Sequence, residues 1–466
     1  MARIYPFRAL RYDPSRIRME DVVTQPYDKI SPEMQHRYYE ASPYNLIRVI
    51  LGKREPNDTE PQEFLPPGEE AHNVYTRASE FLGHWRAEGI LAEEAEPALY
   101  GYSQTYTVPH TNEVRERRGF IALGHLYDYA EKVVYRHEQT FPKHKSDRLA
   151  LFKATRAYCE QIYMLYSDPA FTAEKLIFGV DASGKDSKPA DLVITDEYGV
   201  VHRLWKLTNP GLINLIVTAM RDKKLIIADG HHRYETSVAY AKERSAQLKL
   251  PLGEPADPEE RLGAGHLPAP PFPEAAMMMT FVNMDAPGIT ILPTHRVVFG
   301  LENFRTKEFL DRAERWFTVT PEPSSEHDPE PNLEPLTAAE GTAFLVVTRD
   351  GTHLLRAKPE AVRSALADLT PRQAQLDVVQ LHTLLLDQVL GLSQERITQL
   401  GNVKFIREAS EAVSLVRAGE ADIAFLIKPV TLEQLKDISL SGDVMPQKST
   451  DFYPKLLSGL AMYALD

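Results

Sequence analysis

An apolar burst, Leu225-Ile226-Ile227-Ala228, stops at Asp229-Gly230 and gives way to His231-His232-Arg233-Tyr234-Glu235-Thr236. A run this short and apolar suits a buried strand, and glycine permits a sharp turn that other residues resist. Ser237-Val238-Ala239-Tyr240-Ala241-Lys242-Glu243 then reads as a helix. The sequence therefore commits to a strand, a tight turn and a helix in immediate succession. The first N–H groups of a helix lack partners within it. With His231, His232 and Arg233 beside them they form an anion site, and phosphate is the natural guest.

The remainder bounds the setting of that turn. At 466 residues the chain is long enough for two or three domains with their own cores. It carries 53 basic and 66 acidic residues, a net charge of −13. Duplex binding wants a basic footprint, so this balance argues against nucleic acid as a partner and leaves room only for a local basic pocket. The one cysteine, Cys159, excludes an internal disulfide and a cysteine-based zinc site, and reads as a small buried apolar residue. Neither an apolar leader after Met1 nor a membrane-spanning apolar stretch is present, so the cytoplasm is the expected location, with no membrane partner.

Three Pro-rich polar stretches, 53–70, 249–274 and 320–336, read as loops, the last as a boundary within the C-terminal half. Strands are expected at 97–107 and 117–127, a hairpin over 190–206, a helix at 209–220, and a strand at 277–282 whose methionines fill core. The C-terminal third predicts helices at 302–316, 359–367, 374–391, 408–418, 431–439 and 454–464, and strands at 343–349, 352–357, 403–407 and 421–427. This is a mixed α/β (α+β) pattern. It divides into a motif-bearing region, 1–300, and a C-terminal mixed-sheet region, 301–466, expected to pack back on the site through 445–455.

Four further motifs carry chemistry. Arg136-His137-Glu138-Gln139-Thr140, with Lys143, His144, Lys145, Asp147 and Arg148, fails as a zincin helix because Phe141 stands where the second histidine is needed. It can supply a general base, Glu138 or His137, and phosphate clamps, Lys145 and Arg148, or it is a solvated charged helix start. Gln25-Pro26-Tyr27-Asp28-Lys29-Ile30-Ser31-Pro32 is a stiff turn that holds Asp28 in place, and on chemistry alone Asp28 caps the helix beginning at Pro32. Leu292-Pro293-Thr294-His295-Arg296 puts two polar heads at the start of an apolar strand, for anion contact or strand-end hydrogen bonding. Met445-Pro446-Gln447-Lys448-Ser449-Thr450 fails as a Walker loop because Gln447 replaces the required glycine, but Lys448 can still meet a phosphate as a point charge. The adjacent His231 and His232 make a poor metal pair, since neighbours on a helix point about 100° apart.

Together the five motifs resemble a bacterial and archaeal family known as domain of unknown function 1015, with Gln25 departing from the proline expected before Pro26. The strand–Asp-Gly-His-x-Arg–helix segment is similar, more distantly, to the ParB/sulfiredoxin-like nucleotide-binding fold. In that superfamily this turn holds nucleotide phosphates, and members either partition chromosomes with CTP or phosphorylate free L-serine with ADP or ATP. The acidic balance and the lack of an evident helix-turn-helix favour the kinase branch. The resemblance thus implies a ParB-like core around 229–233, ATP or ADP with Mg²⁺ as cofactors, and a nucleotide-dependent kinase acting on a small hydroxyl substrate. In that reading Asp229, Gly230, His231, His232 and Arg233 hold phosphates. Lys145, Arg148, His295, Arg296 and Lys448 add positive charge, and Glu138, Asp28 or His137 takes the proton. Two other readings stand beside it: a nucleotide-binding regulator without turnover, and a metal-dependent hydrolase built on His137, Glu138, His231 and His232. Self-association is left open.

Overall fold

In the computed structural model, residues 1–66, 68–138, 143–179, 188–253, 266–323, 331–393, 395–397 and 401–465 are described. The chain divides into two compact units, Met1–Tyr135 with Thr140–Ile289 and Pro454–Asp466, and Arg136–Gln139 with Thr290–Tyr453. Both are mixed α/β.

In the first unit the expected strand pair forms as Leu99–Thr107 and Val114–His125, antiparallel in register Tyr100↔Ile121. Around it, nine strands among the described residues make one mixed sheet. The expected hairpin appears as Leu192–Thr195 and Val201–Leu207 and extends one side. Ala276–Asn283 pairs antiparallel with Val114–His125 and parallel with Ile162–Tyr166. Leu225–Asp229 lies on the far side of Ile162–Tyr166. Met277, Met278 and Met279 are buried, as core methionines. The helix Pro210–Met220 starts where Asn209 accepts from Leu212 N–H and proline occupies its first turn. It buries Ile213, Ile216, Val217 and Met220, the i, i+3, i+4, i+7 stripe of an amphipathic helix. Each such side chain contributes about 1.5–3 kcal/mol when fully buried. Cys159 is buried, and that burial pushes its thiol up to about 12.

The second unit holds a six-stranded antiparallel sheet among the described residues, in the order 317–322, 351–357, 343–348, 423–426, 295–298, 403–406. The Pro-rich stretch 320–336 marks no boundary: the strand Phe317–Glu322 and the helix Glu334–Ala338 both belong to this unit. Residues 324–330 lie outside the described residues.

Two of the expected helices do not form as read. Residues 454–464 are not a helix. They run extended through the first unit, exchanging backbone hydrogen bonds between Ser458 and Thr24 and between Met462 and Leu10, and Tyr463 pairs with Tyr158. Leu456, Leu457, Ser458, Leu460, Ala461 and Met462 are all buried, so no solvent face exists for an amphipathic helix. Gly459 sits at φ +97, where a side chain would be strained. The helix expected over 374–391 is interrupted: Asp377–Gln380 is α-helical and Leu381–Val389 is wound as a π-helix.

Candidate functional site

The opening motif folds as its sequence demands. The strand Leu225–Asp229 ends with a register shift against Ile162–Tyr166 between Ile227 and Asp229. Such a bulge re-aims the side chain that follows it. Gly230 takes φ +92, and the 18-residue helix His231–Leu248 begins at once. A Cβ at Gly230 would stand 3.2–3.3 Å from the Arg233 guanidinium. Having no side chain, Gly230 gives the helix start no side-chain cap.

His231 is buried and His232 half-buried. Arg233 is turned inward. It is 4% exposed, donates to the Gln161 carbonyl, and reaches Asp229 Oδ2 at 3.3 Å. Burial opposes its charge, but Glu160, Asp229 and Asp28 outweigh that and hold the guanidinium above its ordinary value. Lys455 Nζ lies 3.4 Å from Asp229 Oδ1.

The Pro26–Asp28 turn belongs to the same cluster. Tyr27 N–H donates to Glu160 Oε1 at 3.0 Å. The Arg148 guanidinium stacks 4.0 Å over the Tyr27 ring, 3.7 Å from Glu160, and bonds Asp147 and the Ile50 carbonyl. Burial raises the Tyr27 phenol to about 12, with Arg148 opposing. Burial also holds the Glu160 carboxyl above its ordinary value, against Arg233 and Arg148. Lys145 is ion-paired with Glu235. Asp28 is exposed and does not cap the helix Pro32–Ala41. The cap is Ser31, whose hydroxyl accepts from Met34 N–H at 3.2 Å. Ser31 is adjacent to the helix start, whereas Tyr27–Lys29 forms its own 3₁₀ turn.

The other three motifs meet in the second unit. Glu138 bridges Met445, whose N–H donates to the His137 carbonyl at 2.8 Å. His137 is fully buried and shares a 2.8 Å hydrogen bond with Thr450 Oγ1, so residues 136–138 are not a solvated helix start; the charged helix of this segment begins at Lys143. Arg296 is fully buried too. It donates to the carbonyls of Thr294 and Lys448 and to His382 Nε2, and lies 5.2 Å over the Phe405 ring. Burial pushes it down to about 9, and Glu138 opposes. His295 Nδ1 accepts from Ile427 N–H at 3.2 Å, and burial lowers the ring to about 4. Lys448 is exposed, with φ 55. Gln139, Thr140 and Phe141, and the side chains of Lys143 and His144, lie outside the described residues.

Sequence reasoning missed Glu160. It belongs to no motif, and its neighbours Cys159 and Gln161 give no chemical signal. Among the described residues no group of three or more His, Cys, Asp and Glu side chains is arranged to hold a metal ion. Nor is any described helix long and apolar enough to cross a membrane.

Fold and site define a mixed α/β protein built around a strand–glycine–helix turn over a buried arginine–carboxylate cluster. The chain belongs to the family described as protein of unknown function (DUF1015), whose model matches residues 4–379. No curated protein matches it. Solved structures similar to it include a free serine kinase in complex with AMP, at 13% identity and TM-score 0.32, covering 69% of this chain and 83% of that one. A conserved hypothetical protein from Pyrococcus furiosus matches at 12% and 0.32, covering 70% and 89%. SbnI with a C-terminal truncation, from Staphylococcus aureus, matches at 12% and 0.34, covering 74% and 87%. At these scores no residue role is carried from them to this chain.

Proposed function

We propose that this protein binds a nucleotide phosphate at the start of the helix His231–Leu248 and transfers a phosphoryl group to a small hydroxyl substrate, free L-serine foremost. One observation carries the reading. A left-handed glycine joins a bulged strand end to a long helix whose N-cap offers no side chain of its own. Backbone N–H groups at such a start, with the helix dipole behind them, favour an anion.

In this reading the first-turn N–H groups and His232 meet the phosphate. Arg233, Arg148 and Lys145 act as fixed positive charge, because each is already engaged by the protein. Exposed Asp28 accepts the proton as the substrate oxygen attacks the terminal phosphorus. The bond to the bridging oxygen then breaks, and its electrons leave with the nucleotide. Mg²⁺ would come bound to the nucleotide, would neutralise charge on its phosphates, and would need few protein ligands. The inward engagement of Arg148 and Arg233 favours a second reading, a nucleotide-binding regulator without turnover.

The test is to incubate the protein with Mg²⁺, L-serine and ATP or ADP and assay phosphoserine by mass spectrometry. Asp28→Asn is expected to lower turnover by about 10²–10⁴-fold while nucleotide still protects against heat. Gly230→Ala, strained at positive φ, is expected to lose that protection. Protection without product from any hydroxyl amino acid selects the regulator. Neither protection nor product removes both readings.

A further inference from the structure

Three tyrosines of the first unit show how a phenol is ordinarily completed inside it. Tyr75 donates to Asp147 at 2.8 Å, Tyr129 to Glu235 at 3.1 Å, and Tyr234 to the Tyr127 carbonyl at 2.9 Å. Tyr27 differs. It is half-buried, yet its phenolic oxygen makes no hydrogen bond among the described residues and retains accessible surface.

The rest of Tyr27 is firmly held. Pro26 before it is buried and fixes the entry to the turn. Tyr27 N–H donates to buried Glu160 at 3.0 Å, and the Arg148 guanidinium lies 4.0 Å over the ring. Arg148 is itself pinned by the Ile50 carbonyl at 2.8 Å and by Asp147 Oδ2, to which its Nε and Nη2 donate at 2.9 and 2.6 Å. Asp147 is the carboxylate that receives the Tyr75 hydroxyl. These anchors take the backbone and the ring face of Tyr27 and leave its oxygen. A hydroxyl on so fixed a ring has little freedom to lose on meeting a ligand.

Its place in the fold sets what that ligand is. The phenol and the Arg233 guanidinium act on each other electrostatically. Arg233 in turn abuts the turn that begins the helix His231–Leu248, since a Cβ on Gly230 would stand 3.2–3.3 Å from its guanidinium. Burial raises the phenol to about 12, with the charges of Arg148 and Arg233 opposing. The phenol therefore keeps its proton at neutral pH and offers an O–H donor. A donor beside two guanidinium groups and a helix start suits an anionic oxygen. Arg148 and Arg233 can turn to a ligand only by leaving the carbonyls and carboxylates they hold, whereas the Tyr27 hydroxyl meets one as it stands.

We infer that Tyr27 is a phosphate-binding residue: its hydroxyl donates to an oxygen of the nucleotide's phosphate chain, on a ring held by Arg148 and a backbone held by Glu160. The inference rests on the nucleotide site proposed above and adds to it a contact that carries no charge.

Tyr27→Phe is the clean variant, because it keeps the ring under Arg148 and the N–H on Glu160 and removes only the oxygen. The experiment titrates the full chain, parent and variants, by calorimetry with ADP and Mg²⁺, and with adenosine as the matched probe without phosphate. Tyr27→Phe is expected to weaken ADP by roughly tenfold, the value of a hydrogen bond to a charged group. It should leave adenosine unaffected and the unfolding temperature near that of the parent. The inference alone is overturned if Gly230→Ala loses ADP while Tyr27→Phe binds it within about twofold of the parent. It is also overturned if adenosine weakens as much as ADP, which would put the hydroxyl on the nucleoside, or if Tyr27→Phe lowers the unfolding temperature, which would make the hydroxyl structural. A parent that binds no ADP removes the nucleotide site and this contact with it.

Discussion

Arg233 and Arg296 are both buried arginines in histidine-bearing motifs, yet their units neutralise them differently. Arg233 sits among carboxylates: burial opposes its charge, but Glu160, Asp229 and Asp28 raise it above the ordinary value. Arg296 meets carbonyl oxygens and a histidine nitrogen, and burial brings it down to about 9 with Glu138 opposing. Burial and residue type alone do not set a side chain's electrostatic role. The partners do.

The same substitution in both units tests that contrast most strongly. Arg233→Met takes one of two counter-charges from buried Glu160 and from half-buried Asp229, leaving Arg148 and Lys455, and is expected to cost about 3–5 kcal/mol. Arg296→Met removes hydrogen bonds to neutral carbonyls and is expected to cost about 1–3 kcal/mol. Equilibrium urea unfolding measures both, and an Arg296 variant that suffers as much as the Arg233 variant breaks the comparison.

Acid should affect the two units alike. His125 in the first unit and His295 in the second are each lowered by burial from 6.5 to about 4, with the charges of Arg3 and Arg296 adding to the effect. Below about pH 6.5 the unfolded chain takes up a proton that the folded chain refuses until about pH 4. Stability is therefore fully present above pH 6.5 and is lost as pH falls toward 4, by about 3 kcal/mol per histidine. His125→Gln and His295→Gln should each flatten the acid limb of a stability–pH curve. A curve unchanged by either substitution removes the histidines as its cause.

The smallest effect sharpens the role of the Pro26–Asp28 turn. Ser31→Ala should cost about 1 kcal/mol, the value of an N-cap. Asp28→Ala should change stability by less than about 0.5 kcal/mol, as exposed positions do. An Asp28 variant as unstable as the Ser31 variant would return Asp28 to a structural role.

Much of this was legible. Leu225–Asp229 and His231–Leu248 follow from an apolar run, a glycine and a helical pattern, all local signals. The hairpin around Asp196–Gly199 and the strand of methionines were equally plain. The error at 454–464 has a tertiary cause: its leucines are buried all round, and its backbone bonds go to Leu10 and Thr24, more than four hundred residues away in sequence. A helical periodicity cannot be told from a threaded, fully buried segment until those partners are in place. Glu160 was invisible for a similar reason, since what marks it out is the pair of arginines at 148 and 233.

Sequence alone determined the mixed α/β character, the strand–glycine–helix turn, and the presence of five polar motifs, because each rests on contacts between near neighbours in the chain. Tertiary structure decided which motifs keep company. It gathered 26–28 and 229–233 with Arg148 and Glu160 in one unit, and 136–138, 293–296 and 445–450 in the other. It also turned Arg233 and Arg296 inward. Partnership between buried charges depends on distances across the fold, and residue order does not encode those distances locally.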